Sequence, residues 1–152
     1  MDRIASFQVD HTKLLPGMYL SRRDGEITTF DLRFKKPNTG DLLTNAEMHS
    51  VEHIIATLLR NSRAKDAVIY FGPMGCQTGF YFLFDSRKLT DDDALALVKE
   101  VFAAGAAWEG PMPGKSAAEC GNYINLDTAL ARTQCAYYCD VIRDWTVDKL
   151  SY

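Results

Sequence analysis

Apolar and polar positions alternate strictly where Phe30, Leu32 and Phe34 interleave with Thr29, Asp31 and Arg33. Period two predicts a half-buried strand with one polar face. The run Ile27 to Phe34 follows Met18-Tyr19-Leu20 across Asp24-Gly25, a strong hairpin-turn signal. Lys35 to Gly40 breaks the pattern. The period then changes: Met48, Val51, Ile54, Ile55, Leu58 and Leu59 recur at helical spacing. They predict a helix from near Thr44 to about Asn61, opened by a capping box of Thr44 and Glu47. Ala67 to Phe71 reads as a buried strand, Gly72 to Gly75 as a turn, and Gly79 to Phe84 as an aromatic strand. Thr90 predicts the cap of a second helix through about Ala104, with Asp91, Asp92 and Asp93 at its positive end. Residues 105–122 are rich in glycine and proline and predict a long loop, of the kind that usually carries function. Asp127 opens a third helix expected to reach Trp145 and to pack through Leu130, Tyr137, Tyr138, Val141 and Ile142. Strands mixed with helices, without regular βαβ alternation, predict one α+β domain over residues 1–152, an antiparallel sheet packed against helices.

Composition narrows the function classes. At 152 residues, with 47% hydrophobic and 24% charged positions, the chain has an ordinary globular make-up. A chain of this size buries roughly 70% of its unfolded surface, so it needs no disulfide staple. Seventeen basic residues against 20 acidic ones give a formal charge of -3, which removes a basic nucleic-acid footprint. No apolar run approaches the roughly 20 residues needed to span a bilayer, so no membrane partner is expected. Met1 to Asp10 carries charge at Asp2, Arg3 and Asp10 and lacks an apolar signal core, so a cytoplasmic location is expected. In a reducing compartment the cysteines are ligands, nucleophiles or small core residues rather than disulfides.

The strongest chemical motif is His49-Ser50-Val51-Glu52-His53, an inverted zincin-type H-x-x-E-H. On a helix, at about 100° per residue, His49 and His53 share one face with Glu52 beside them. Two imidazoles so spaced can hold a divalent cation, and the carboxylate can act as acid/base without ligating. The apolar stripe of the same helix lies on another side, so a metal face and a packing face are compatible. The plainer alternative is a surface helix that happens to carry two of the chain's three histidines. A catalytic cation usually takes a third protein ligand, and Glu119 and Cys120 are both candidates. Glu119 would give a metallopeptidase-like centre, and Cys120 a softer His2Cys centre suited to a sugar oxygen. Cys76 sits in a glycine-flanked turn, where a nearby cation would favour its thiolate. Otherwise it is a small turn residue. Cys135 and Cys139, at i and i+4, read as small core residues.

Five separated motifs then make the chain recognisable: Ser6-Phe7 with Asp10-His11, Phe30-Asp31-Leu32-Arg33-Phe34, His49-Ser50-Val51-Glu52-His53, Gly75-Cys76-Gln77-Thr78-Gly79-Phe80-Tyr81, and Cys120-Gly121-Asn122. In this order and spacing the chain resembles LuxS, the S-ribosylhomocysteine lyase family of bacteria. The resemblance implies cleavage of the S-ribosylhomocysteine thioether to homocysteine and 4,5-dihydroxypentane-2,3-dione, the autoinducer-2 precursor, linking the activated methyl cycle to quorum sensing. It implies His49, His53 and Cys120 as metal ligands, Glu52 and Cys76 as the acid/base pair, and Ser6, His11 and Arg33 as substrate contacts. It further implies one divalent metal per subunit, iron(II) by expectation with zinc or cobalt accepted, and a homodimer with active sites at the interface. The strand Phe80 to Phe84, apolar on both faces, agrees with a second copy covering it.

The chemistry fits that reaction. A thioether leaves readily when it lies β to a carbonyl. The substrate's carbonyl must therefore move from C1 to C3 by two aldose–ketose shifts before homocysteine departs from C5. Each shift needs positioned acid/base groups and stabilisation of an enediolate. An inverted-zincin-type metallopeptidase is the runner-up and requires Glu119 as ligand. A non-catalytic metal or redox module leaves Glu52 and Arg33 without a role.

Overall fold

The protein was described as a computed structural model covering residues Met1–Tyr152. Strands β1 (Gly17–Asp24), β2 (Ile27–Arg33), β3 (Val68–Pro73) and β4 (Gly79–Asp85) form one sheet in the order β1-β2-β4-β3, antiparallel throughout. Helices α1 (Asn45–Arg60), α2 (Asp91–Ala106) and α3 (Thr128–Ile142) complete a single α+β domain, as the pattern predicts. None of the helices is long and apolar enough to cross a membrane.

Register explains the layers. Phe30 sits opposite Phe82, and Leu32 opposite Phe80, so their side chains share one face of the sheet. Phe30, Leu32, Phe80, Phe82 and Phe84 are all fully buried in one core with residues from the three helices. From α1 come Met48, Val51, Ile55 and Leu59, and from α3 Cys135, Tyr138 and Ile142. Phe34, just past β2, stacks on Tyr138 at 4.2 Å between ring centroids and so ties the sheet to α3.

The other face of β2 departs from expectation. Thr29, Asp31 and Arg33 are not a solvated polar face; they are 1%, 1% and 2% exposed. Across the ladder Asp31 faces Tyr19 on β1 and Tyr81 on β4. Tyr152 folds back over them, stacks on Tyr19 with centroids 5.0 Å apart, and donates its hydroxyl to Asp31 Oδ2 at 2.7 Å. Period two identified the alternation correctly, but it reports side-chain direction, not what later covers that side.

Smaller departures are local. α3 ends at Ile142 rather than near Trp145, and Tyr137 stays 37% exposed while Ala131 and Cys135 are buried. β3 is an edge strand with Ile69 and Tyr70 exposed, not a buried one. Gly72 and Pro73 lie within it, so the turn falls at Gly75–Cys76. Both predicted helix caps form. Thr44 and Glu47 make a reciprocal box, and Thr90 Oγ1 accepts from Asp93 N–H.

Candidate active site

α1 begins sharply because Glu47 N–H donates to Thr44 Oγ1 at 3.2 Å while Thr44 N–H donates to Glu47 Oε2 at 2.7 Å. From that fixed start, one turn separates His49 from His53. Their half-buried rings lie 4.6 Å apart between centroids and nearly perpendicular, at 88°. The loop after α2 brings a third group to them. Cys120 Sγ is 3.3 Å from His49 Nε2, and single ligand atoms of His49, His53 and Cys120 all fall within 4.8 Å of one another. Three soft-to-borderline donors so converged fit one divalent cation, with positions left for substrate or water.

Each imidazole is held from behind. His53 Nδ1 donates to Pro113 O at 2.8 Å, and His49 Nδ1 faces Asn125 Oδ1 at 2.6 Å. Both acceptors put the proton on Nδ1, which leaves the Nε2 lone pairs for a cation. Gly114 presses against His53: a Cβ there would lie 3.1 Å from Nδ1, and its φ of +68° already favours glycine.

Glu52 is half-buried beside the two imidazoles and lines a cleft of about 250 Å³ with Asn45, Met48, His49, Pro73 and Asn122. Glu119 is turned away. It is exposed, and its Oε2 accepts from Ser116 Oγ at 2.6 Å. Of the two candidates for third ligand, the structure therefore brings Cys120 to the imidazoles.

Cys76 belongs to a second cluster. Its exposed thiol lies at the Gly75–Cys76 turn, 3.1 Å from Thr78 Oγ1. Beneath it, Arg33 Nη1 donates to Thr78 Oγ1 at 2.6 Å and lies 3.9 Å from Cys76 Sγ. Arg33 Nη2 donates to Asp31 Oδ2 at 2.6 Å. Burial works against the Arg33 charge, but Asp31, with smaller contributions from Cys76 and Tyr152, outweighs it, so the guanidinium stays charged with its pKa raised. Gln77, with φ at +63°, joins this turn to the start of α1: its backbone O accepts from Leu43 N–H, and its side-chain amide donates to Leu43 O.

His11 lines a depression of about 470 Å³ with Cys76, Thr78, Pro37, Asn38 and Leu42. Ser6, in the 3-10 turn Ala5–Phe7, lines neither this depression nor the Glu52 cleft. The two depressions share no lining residue, so the single chain presents Glu52 and Cys76 in separate hollows. A larger hollow of about 580 Å³ over the outer sheet face, among Val9, Leu14, Tyr19 and Tyr152, holds none of these groups. Sequence reasoning missed Asn45, Asn125, Pro113 and Gly114 behind the two imidazoles and Asp31 beneath Cys76. Nothing in the spacing of the first four marks them, because each acts across the fold; Asp31 lies two residues from Arg33 on the same strand face, and period-two alternation is the signal that could have paired them.

Known sequences place these groups in a family. The sequence profile of S-ribosylhomocysteinase (LuxS) matches residues 4–148. A relative from Desulfotalea psychrophila, named S-ribosylhomocysteine lyase, is 46% identical over 100% of this chain and 99% of its own length. Relatives of the same name from Finegoldia magna and Borreliella burgdorferi are 42% and 40% identical at the same coverage. The chain belongs to the S-ribosylhomocysteinase (LuxS) family.

Proposed function

We propose that this member of the S-ribosylhomocysteinase family cleaves the thioether of S-ribosylhomocysteine to homocysteine and 4,5-dihydroxypentane-2,3-dione. The observation that carries the reading is the convergence of His49, His53 and Cys120 beside Glu52. In this reading the three residues hold one divalent cation, iron(II) by preference, with zinc or cobalt able to replace it. When bound, that ion supplies Lewis acidity for the negative charge that builds on the sugar oxygens.

The chain's own groups move the protons. In the first shift a proton leaves C2 and one returns to C1. In the second it leaves C3 and returns to C2. Elimination then removes the C4 proton and expels homocysteine from C5. Glu52, on rigid α1, is fixed at the cation's side and serves as one acid/base group. Cys76 serves as the other, approaching from its turn. The proposed substrate contacts are His11, which shares the Cys76 hollow, Arg33, which lies beneath it, and, on the family resemblance alone, Ser6.

Because Glu52 and Cys76 open into separate hollows of one chain, the reading includes a homodimer in which a second copy completes the site. Sedimentation at micromolar concentration is expected to give about twice the 17.1 kDa chain mass. A monomer with full turnover would remove the dimer from the mechanism. The enzymatic test is incubation of metal-loaded protein with S-ribosylhomocysteine while released thiol is trapped. The lyase liberates homocysteine, and a metallopeptidase or a non-catalytic metal module does not. The same assay after chelation and metal return tests the dependence on a cation.

A further inference from the structure

We propose that Asn125, oriented by Asn45, is a positioning residue that selects the tautomer of His49 and so sets how tightly the cluster holds a divalent cation. The inference rests on the metal-centre reading above. Asn45 is the first residue of α1, one turn before His49, and Asn125 closes the 3-10 turn Tyr123–Asn125 before α3. Asn125 Nδ2 donates to Asn45 Oδ1 at 2.6 Å, while Asn125 Oδ1 lies 2.6 Å from His49 Nδ1. An amide whose nitrogen is engaged by Asn45 offers His49 only an acceptor. His49 must then carry its proton on Nδ1 and leave the Nε2 lone pair free, on the nitrogen that faces Cys120 Sγ at 3.3 Å.

The two amides form a switchable pair. If both reversed together, Asn125 would present N–H to Nδ1, the proton would move to Nε2, and His49 could not ligate. The orientation in the structure is the ligating one. His53 has no such freedom, because its acceptor is the backbone carbonyl of Pro113. The segment that delivers Cys120 thus also delivers, five residues later, the group that readies His49. One loop couples the third ligand to the orientation of the first.

Three variants test this: Asn125→Leu, Asn125→Asp and Asn45→Ala. The probe is cobalt(II) alone, titrated against a competing chelator and followed by its thiolate charge-transfer absorption. Ring nitrogen shifts of His49 in the metal-free protein give a second readout. Asn125→Leu is expected to weaken cobalt binding roughly tenfold to a hundredfold, the usual worth of such an outer contact. It should also shift His49 of the metal-free protein away from the Nδ1–H tautomer. Asn125→Asp can only accept from His49, so it is expected to restore wild-type affinity or exceed it. Asn45→Ala is expected to cost a few-fold, and nothing further when combined with Asn125→Leu. Equal cobalt affinity and an unchanged tautomer in Asn125→Leu would overturn the inference, as would an Asp variant as weak as the Leu variant. Failure of the wild type to bind cobalt would instead overturn the metal-centre reading and this inference with it. If Asn125→Leu does not fold, the Asp variant and the tautomer of the Asn45→Ala protein decide the matter.

Discussion

Around His49 and His53 the working groups are half-buried, and each is steadied by one acceptor at its far nitrogen. Around Cys76 the thiol is exposed, while the polar groups beneath it are sealed in: Asp31, Arg33 and Thr78 are 1%, 2% and 3% exposed, and Arg33 ties the other two together. The first region gains its geometry from helix spacing, and the second from sheet register and burial. Removing a ligand from the first should therefore damage chemistry more than folding. Removing a partner from the second should damage folding as well, because a buried charge without its counter-charge is costly.

The hardest test of that contrast is Cys120→Ala. Its metal content and homocysteine release should both fall sharply with the fold intact, whereas Glu119→Gln should keep both. Full metal occupancy in the Cys120 variant would break the ligand assignment. Next come Glu52→Gln and Cys76→Ala, one from each region. Each should keep its metal and lose at least about a hundredfold in rate, the ordinary worth of a positioned acid/base group. NMR in deuterium oxide separates them, since at least one should still exchange the substrate's C2 proton without releasing homocysteine. Silence of both in exchange would leave no division of labour between the two regions.

Asp31→Asn tests the sealed charges. It weakens the ion pair that holds Arg33, and breaking a buried pair costs roughly 3–5 kcal/mol. Chemical denaturation should show a loss of that order, or somewhat less because the amide still accepts a hydrogen bond. The same measurement on Glu52→Gln should show little change. Equal stability of the two variants would erase the proposed difference between the regions.

The smallest effect concerns the thiols. Burial, and then the neighbouring Cys139, pushes the Cys135 thiol up to about 12 from an ordinary value of 9.0. A raised folded value means that the unfolded chain loses this proton first. The stability it contributes is thus complete below about pH 9 and declines as pH rises toward about 12. Unfolding followed from pH 8 upward should fall less steeply in Cys135→Ala than in the parent. Alkylation of the folded protein should modify exposed Cys76 first and buried Cys135 last.

Much of this architecture is legible in the chain alone, for local reasons. Capping boxes, helical spacing and period-two alternation act within a few residues, so α1, the starts of α2 and α3, and the β1–β2 hairpin are legible with their bounds nearly right. The pairing of His49 with His53 follows from one helical turn, and Glu52 travels with them. The family resemblance extends that reading to Cys120 and Cys76. Tertiary structure decided what depends on distant partners. It turned Cys120 rather than Glu119 toward the imidazoles. It set Tyr19, Tyr81 and Tyr152 around Asp31, so that part of an apparent solvent face became a buried ion pair with Arg33. It also set Asn125 behind His49, 76 positions away along the chain. Periodicity reports the direction in which a side chain points; only the closed fold determines what it meets there.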